Sequence, residues 1–253
     1  MTDGGKEAVR VDEDVVAASE VRRLKERVRE LERIGRRTRT CMLLIMAIAL
    51  TVETFLIFRG SQNERAFIQY AQVRQFVIQS TLDRSSSPII VLGDSIVELS
   101  TLPRFLCNHA VVNAGISGAQ TTSGLGAILK QSLRGKRATL VILSLGTNDA
   151  LISRRTDNFA GAYKALLAEI TPLAEHIAVM AIPALDSPVE ANERINEYNA
   201  AIFIAAKEQE IDFVPLPQMP NPHTTDGIHL DIDGYSIWDA AFLGEARKIC
   251  PRE

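Results

Sequence analysis

The chain has 253 residues, 46% of them hydrophobic and 23% charged, an ordinary balance for one sizeable core plus extensions. A net charge of −3 excludes both a bulk electrostatic case for nucleic-acid binding and an extremely acidic, self-repelling chain. The average hides a strongly basic stretch near the N-terminus.

Residues 1–17 are polar and acidic, without apolar periodicity beyond "VV", and are expected to lack regular structure. From there Val21, Leu24, Val28 and Leu31 fall at 3-4-3 spacing with charges between them, a seam barely two heptads long that Gly35 ends. Two readings stand: a solvated charged helix leading into a membrane, or a short coiled coil pairing two copies through residues 21–34. Residues 21–40 carry nine Lys and Arg against Glu26, Glu30 and Glu32. Such a run suits anionic lipid headgroups and explains the basic charge without nucleic acid.

Immediately after comes "CMLLIMAIALTVETFLIF", residues 41–58, apolar except for two threonines and Glu53. As a helix it spans about 27 Å, close to the hydrocarbon thickness of a bilayer. A core helix of this length would show a polar face. The segment is therefore expected to be a single transmembrane anchor. The basic residues precede it, which puts residues 1–40 in the cytoplasm and the rest of the chain outside. Glu53 lies about 8 Å from the outer end, within reach of the interface by snorkelling. Cleavage after "AIA" (47–49) would leave too short an apolar stretch before it, so the anchor is read as uncleaved. Cys41 opens the apolar run rather than closing it, which argues against a lipoprotein signal.

Residues 59–85 form a stalk or lead-in helix, with Phe67, Tyr70, Val73 and Val77 along one side. "RSSSP" (84–88) marks a boundary, and from residue 86 to 253 the pattern becomes cyclic. Apolar strands at "PIIVL" (88–92), "AVVNAG" (110–115), "ATLVILSLG" (138–146), "HIAVMAIP" (176–183) and "IDFVPL" (211–216) alternate with helical stretches at 121–133, 157–174, 189–209 and 231–249. Near-continuous apolar strands separated by helices imply an α/β fold, a mostly parallel sheet covered on both faces.

In such a sheet, sites form beyond the carboxyl ends of the strands. Four polar or glycine-bearing turns lie there: "GDS" (93–95), "NAGISG" (113–118), "GTND" (146–149) and the loop holding "TTDGIHL" (224–230). Ser95 alone would be an unremarkable turn or cap residue. Val97 stands where a second glycine of G-x-S-x-G would be, so the α/β-hydrolase elbow does not apply. A serine nucleophile needs a general base, and His229 can serve, with Asp226 three residues earlier to fix its tautomer. His109, His176 and His223 are expected at the surface, His223 lacking an acid at that spacing. Gly115 could bring a backbone N–H to a developing oxyanion, beside the Asn148 amide and the Ser95 N–H. No metal is required, and no Cys/His cluster offers a metal site.

These ordered blocks resemble the SGNH hydrolases of the GDSL esterase/lipase superfamily, with "GDSI" for "GDSL" and "GY" at 234–235. The resemblance covers roughly residues 86–250 and implies a flavodoxin-like three-layer α/β/α sandwich. It implies Ser95 as nucleophile, His229 as base, Asp226 as its orienting partner, and Gly115 and Asn148 as oxyanion donors with the Ser95 amide. Asp94 and Asp149 are expected to brace their turns. The expected activity is hydrolysis of small acyl esters, acetylated cell-surface glycan among them. An acyltransferase with the same residues and a non-catalytic interaction scaffold are the alternatives. Cys107 and Cys250 both fall in the outward domain, where a disulfide could tie the C-terminal helix to the loop after the first strand. A Cα separation well beyond about 7 Å would rule that out.

Overall fold

The computed structural model describes residues 4–152 and 156–250. The chain forms two compact units, Met1–Arg65 and Ala66–Glu253. Helix α1 (Gly4–Leu82) supplies the described part of the first and opens the second. Most of the N-terminal segment expected to lack regular structure is thus helical, and only residues 1–3 of it lie outside the described residues. Extending an existing helix is far cheaper than nucleating one, so a polar stretch without its own periodicity can continue the turns behind it. Nor do Gly35 and Gly60 end the helix; one interior glycine costs about 1 kcal/mol relative to alanine, too little to break it.

In the first unit Val21, Leu24, Val28 and Leu31 are all exposed. The apolar run that follows is long enough to cross a membrane, and protein covers none of it. Its two threonines fold their hydroxyls back onto the helix, Thr51 Oγ1 donating to Ile48 O at 2.7 Å and Thr54 Oγ1 to Leu50 O at 2.7 Å. Neither hydroxyl is then left as an unmet donor on this apolar helix.

The second unit is built on strands β1 (Ile89–Gly93), β2 (Phe105–Leu106), β3 (His109–Gly115), β4 (Ala138–Ser144), β5 (Ala174–Met180) and β6 (Asp212–Val214). They form one sheet in the order β2-β3-β1-β4-β5-β6. Every pairing is parallel except that of β2 with β3. Helices α2 (Ser95–Leu99), α3 (Leu125–Leu133), α4 (Thr147–Ile152), α5 (Thr156–Ile170), α6 (Ala191–Glu208) and α7 (Ile232–Ala246) complete it.

Successive strand residues point to opposite faces, and the apolar runs therefore feed two cores. Ile90, Leu92, Val141 and Leu143 pack under α1, α3, α5 and α6. Ile89, Val91, Leu140 and Ile142 meet Trp238, Phe242 and Ala246 of α7. This is the expected three-layer α/β/α sandwich.

Only part of the expected apolar side of α1 meets the domain: Phe67 packs against the core and Tyr70 bonds Glu98, and the buried stripe is rotated from it. Ala71, Ile78 and Leu82 are buried in the core, whereas Val73 remains 62% exposed. Strand β2 was not legible, being only two residues long. It forms a hairpin with β3 through Cys107 and Asn108, both at positive φ (49° and 67°), the backbone that a two-residue hairpin turn demands. Cys107 is joined to Cys250 by a disulfide, with Cα atoms 5.4 Å apart.

Candidate active site

Strand β1 ends at Gly93, and Asp94 caps the short helix α2 by accepting from the Ile96 N–H at 3.0 Å. Ser95 is the first residue of that helix, so its N–H has no intrahelical acceptor. The residue is 7% exposed. Tyr235 of α7 donates its hydroxyl to Ile96 O at 2.8 Å and holds the turn from the other side.

His229 sits in the loop between β6 and α7, with Nε2 3.0 Å from Ser95 Oγ. Its Nδ1 lies 2.7 Å from Asp226 Oδ2, while Asp226 Oδ1 accepts the N–H groups of His229 (2.8 Å) and Ile228 (3.1 Å). The His229 backbone N–H above all, then its ring and the Ile228 N–H, lowers the Asp226 carboxyl to about 2. An ionised carboxylate can only accept, so the imidazole proton sits on Nδ1 and Nε2 is left to receive the serine hydroxyl. Ser95, His229 and Asp226, the three residues singled out in the sequence, therefore form one hydrogen-bonded chain.

Gly115 requires a correction as an oxyanion donor. Its N–H donates to Asn113 Oδ1 at 3.0 Å and is thereby already engaged within its own segment. A glycine is needed there for close packing instead, since a Cβ would fall 2.2 Å from Glu98 N of α2. Gly118 is exposed, with φ +79°, and among the described residues no acceptor takes its N–H. Asn148, in the first turn of α4, donates one amide hydrogen to Ala119 O at 3.0 Å and is thereby held against the same loop.

Asp149 accepts the Thr121 hydroxyl at 2.7 Å and the Thr121 N–H, bracing its turn. Asp94 is fully buried. Burial pushes its carboxyl up to about 6, and the nearby Ile96, Thr147 and Gly146 donors offset that only in part.

A second His–Asp pair escaped the sequence. His223, expected at the surface, is 4% exposed, with Nδ1 3.0 Å from Asp186 Oδ1 and Nε2 2.9 Å from Ala184 O. Asp186 Oδ2 also accepts the His223 and Thr224 N–H groups and the Thr224 hydroxyl. The pair pins the start of the loop that carries His229, and Gly227 O fixes its tip by accepting from Asp186 N and Ser187 N. The acid lies 37 residues upstream, beyond any local spacing rule; only the packing of the loop after β5 brings it in.

A mostly parallel sandwich with a Ser–His–Asp chain at the carboxyl edge of its sheet defines a protein of the hydrolase class. The chain belongs to the GDSL-like Lipase/Acylhydrolase family, whose model matches residues 91–237. Among solved structures it is similar to a Streptococcus pneumonia protein named after platelet activating factor (25% identity, TM-score 0.62, 74% of this chain and 98% of that one). A GDSL-like lipase from Bacteroides thetaiotaomicron shares the fold (22% identity, TM-score 0.56, 72% and 97% covered). So does an acetylxylan esterase from Geobacillus stearothermophilus (18% identity, TM-score 0.51, 64% and 94% covered). No match was found among curated proteins.

Proposed function

We propose that the protein is a membrane-anchored, extracytoplasmic serine esterase that cleaves small acyl esters through an acyl-enzyme on Ser95. The observation that carries this is the continuous contact from Ser95 Oγ through the His229 ring to Asp226, at 3.0 and 2.7 Å. As Oγ attacks the ester carbonyl, His229 Nε2 takes its proton and the carbonyl oxygen becomes an oxyanion. The Ser95 N–H, the Asn148 amide and the Gly118 N–H are its donors. Collapse breaks the ester C–O bond, and the proton on Nε2 leaves with the alcohol. Water then gives a proton to Nε2, attacks the acyl carbon and releases the acid, returning that proton to Oγ. Asp226 stays ionised throughout and steadies the imidazolium.

The outward placement follows from the basic residues ahead of the apolar run, and a disulfide between Cys107 and Cys250 suits an oxidising compartment.

The test is turnover of p-nitrophenyl acetate, butyrate and octanoate by the full chain in detergent, wild type beside Ser95→Ala. Activity favouring the short esters and lost in the mutant is expected. Equal rates in the two folded proteins would refute the esterase assignment.

A further inference from the structure

Glu98 stands on α2 one turn after Ser95, and its carboxylate joins three segments of the second unit. Oε2 accepts the Ser117 N–H at 2.6 Å and the Ser117 hydroxyl at 2.7 Å. Oε1 accepts the Tyr70 hydroxyl and lies 3.3 Å from Arg74 Nε. Tyr70 and Arg74 both belong to the last turns of α1. Arg74 reaches the same loop independently, Nε donating to Gly115 O at 2.9 Å and Nη2 approaching Asn113 O at 3.4 Å. The Arg74 and Glu98 side chains are 17% and 13% exposed, enough burial to strengthen the pair relative to a surface contact. Burial alone would raise the Glu98 carboxyl. The Tyr70 and Ser117 donors and the Arg74 guanidinium outweigh it and hold the group below its usual value. Phe67, one turn earlier on the helix, comes within 3.8 Å of where a Cβ on Gly118 would stand.

We infer that Glu98, Arg74 and Tyr70 are positioning residues: they clamp the loop Gly115–Gly118 to the nucleophile helix, so that the Gly118 N–H is fixed relative to Ser95 before substrate arrives. The membrane-proximal helix is then a working part of the active site rather than a tether. The inference rests on the esterase assignment and on Gly118 as an oxyanion donor. Its physical basis is that a donor aids catalysis only if held at its distance in advance, one such donor being worth about 10²–10³ in kcat. The clamp differs from a purely stabilising contact because Ser117, which it grips by backbone and side chain, immediately precedes the donor.

The test uses the full chain in detergent: wild type, Ser95→Ala, Glu98→Gln, Arg74→Gln and Tyr70→Phe. Turnover of p-nitrophenyl acetate is expressed per serine titrated by a fluorophosphonate, which removes any unfolded fraction from the comparison. Melting temperatures are recorded alongside. Glu98→Gln and Arg74→Gln are expected to lower kcat per titrated site about 10- to 100-fold, with KM within about twofold. The fluorophosphonate reaction, which also builds charge on an oxygen in the donor site, should slow by a similar factor. Tyr70→Phe removes one hydroxyl, keeps the fold, and should give a smaller loss in the same two quantities at an unchanged melting temperature. If all three variants match wild type per titrated site, or if only their melting temperatures move, the clamp is structural and the inference is overturned. If wild type itself has no turnover that Ser95→Ala removes, the esterase assignment fails and takes the inference with it.

Discussion

At the scale of single residues, two carboxylates near Ser95 show opposite electrostatics. Asp226 gathers N–H donors at the surface and stays charged to about pH 2, as a partner for a developing imidazolium requires. Asp94 is buried beneath the turn. Its carboxyl rises from an ordinary 3.8 to about 6. The folded protein therefore binds this proton more readily than the unfolded chain, and stability falls as pH rises from about 4 to about 6. At 1.36 kcal/mol per pH unit the loss is about 3 kcal/mol, complete above pH 6. Asp226, at about 2 in the fold against an ordinary 3.8, is ionised in the fold over that range and opposes the effect only slightly near pH 4, where its unfolded carboxyl is still partly protonated. Asp94→Asn keeps an acceptor for the Ile96 N–H and has nothing to titrate. Thermal melts at pH 4 and pH 7 should show a smaller decline for Asp94→Asn than for wild type; an equal decline would assign the slope to other groups. What was legible at this scale was local. Ser95, Asp226 and His229 sit in short motifs whose spacing carries their chemistry. The His223–Asp186 pair and the bonding of Gly115 to Asn113 depend on backbone geometry and tertiary contact, which composition cannot reveal.

Among the elements, strands β1, β3, β4, β5 and β6 were readable because a sheet covered on both faces leaves apolar runs in the sequence. The second half of α1 shows the limit of that method. Val73 and Val77 face outward, while Ala71, Ile78 and Leu82 enter the core; Arg74, a charged residue, bonds Gly115 O and Glu98. Burial there is set by what the helix must touch, including polar partners that a hydropathy pattern counts as surface. Upstream, the exposed seam at residues 21–34 has Val at both a positions and Leu at both d positions, a choice that favours two parallel strands. In a parallel, in-register pair Glu20 would face Lys25 and Arg27 would face Glu32 across the seam, both attractive. A single-pass anchor also imposes parallel orientation on any pair. We expect Leu31→Cys, in a Cys41→Ser background, to form a disulfide-linked dimer on oxidation in membranes, and a further Leu24→Glu change to suppress it. Monomer alone under oxidation would leave the helix as a solvated lead-in.

For the whole molecule, the disulfide connects the β2–β3 hairpin at one sheet edge to Cys250, just beyond the 3-10 turn that follows α7. Closing so long a segment of chain contributes about 2–5 kcal/mol, mainly by restricting the unfolded state. Cys41 is the free cysteine. Chain isolated from membranes and denatured without reductant should therefore take one maleimide, and three after reduction. Three before reduction would place the domain in a reducing compartment and overturn the outward orientation.

The part that α1 plays in the core bears on how the hydrolase could be cut free. The family match begins at residue 91, and excision there would discard Ala71, Ile78 and Leu82 and leave their groove in the sheet's helical cover bare. Such a fragment would be prone to aggregate, and it would have lost Arg74 and Tyr70. A fragment that keeps the whole core must instead begin no later than the compact unit that opens at Ala66, so the boundary of the working enzyme lies inside α1.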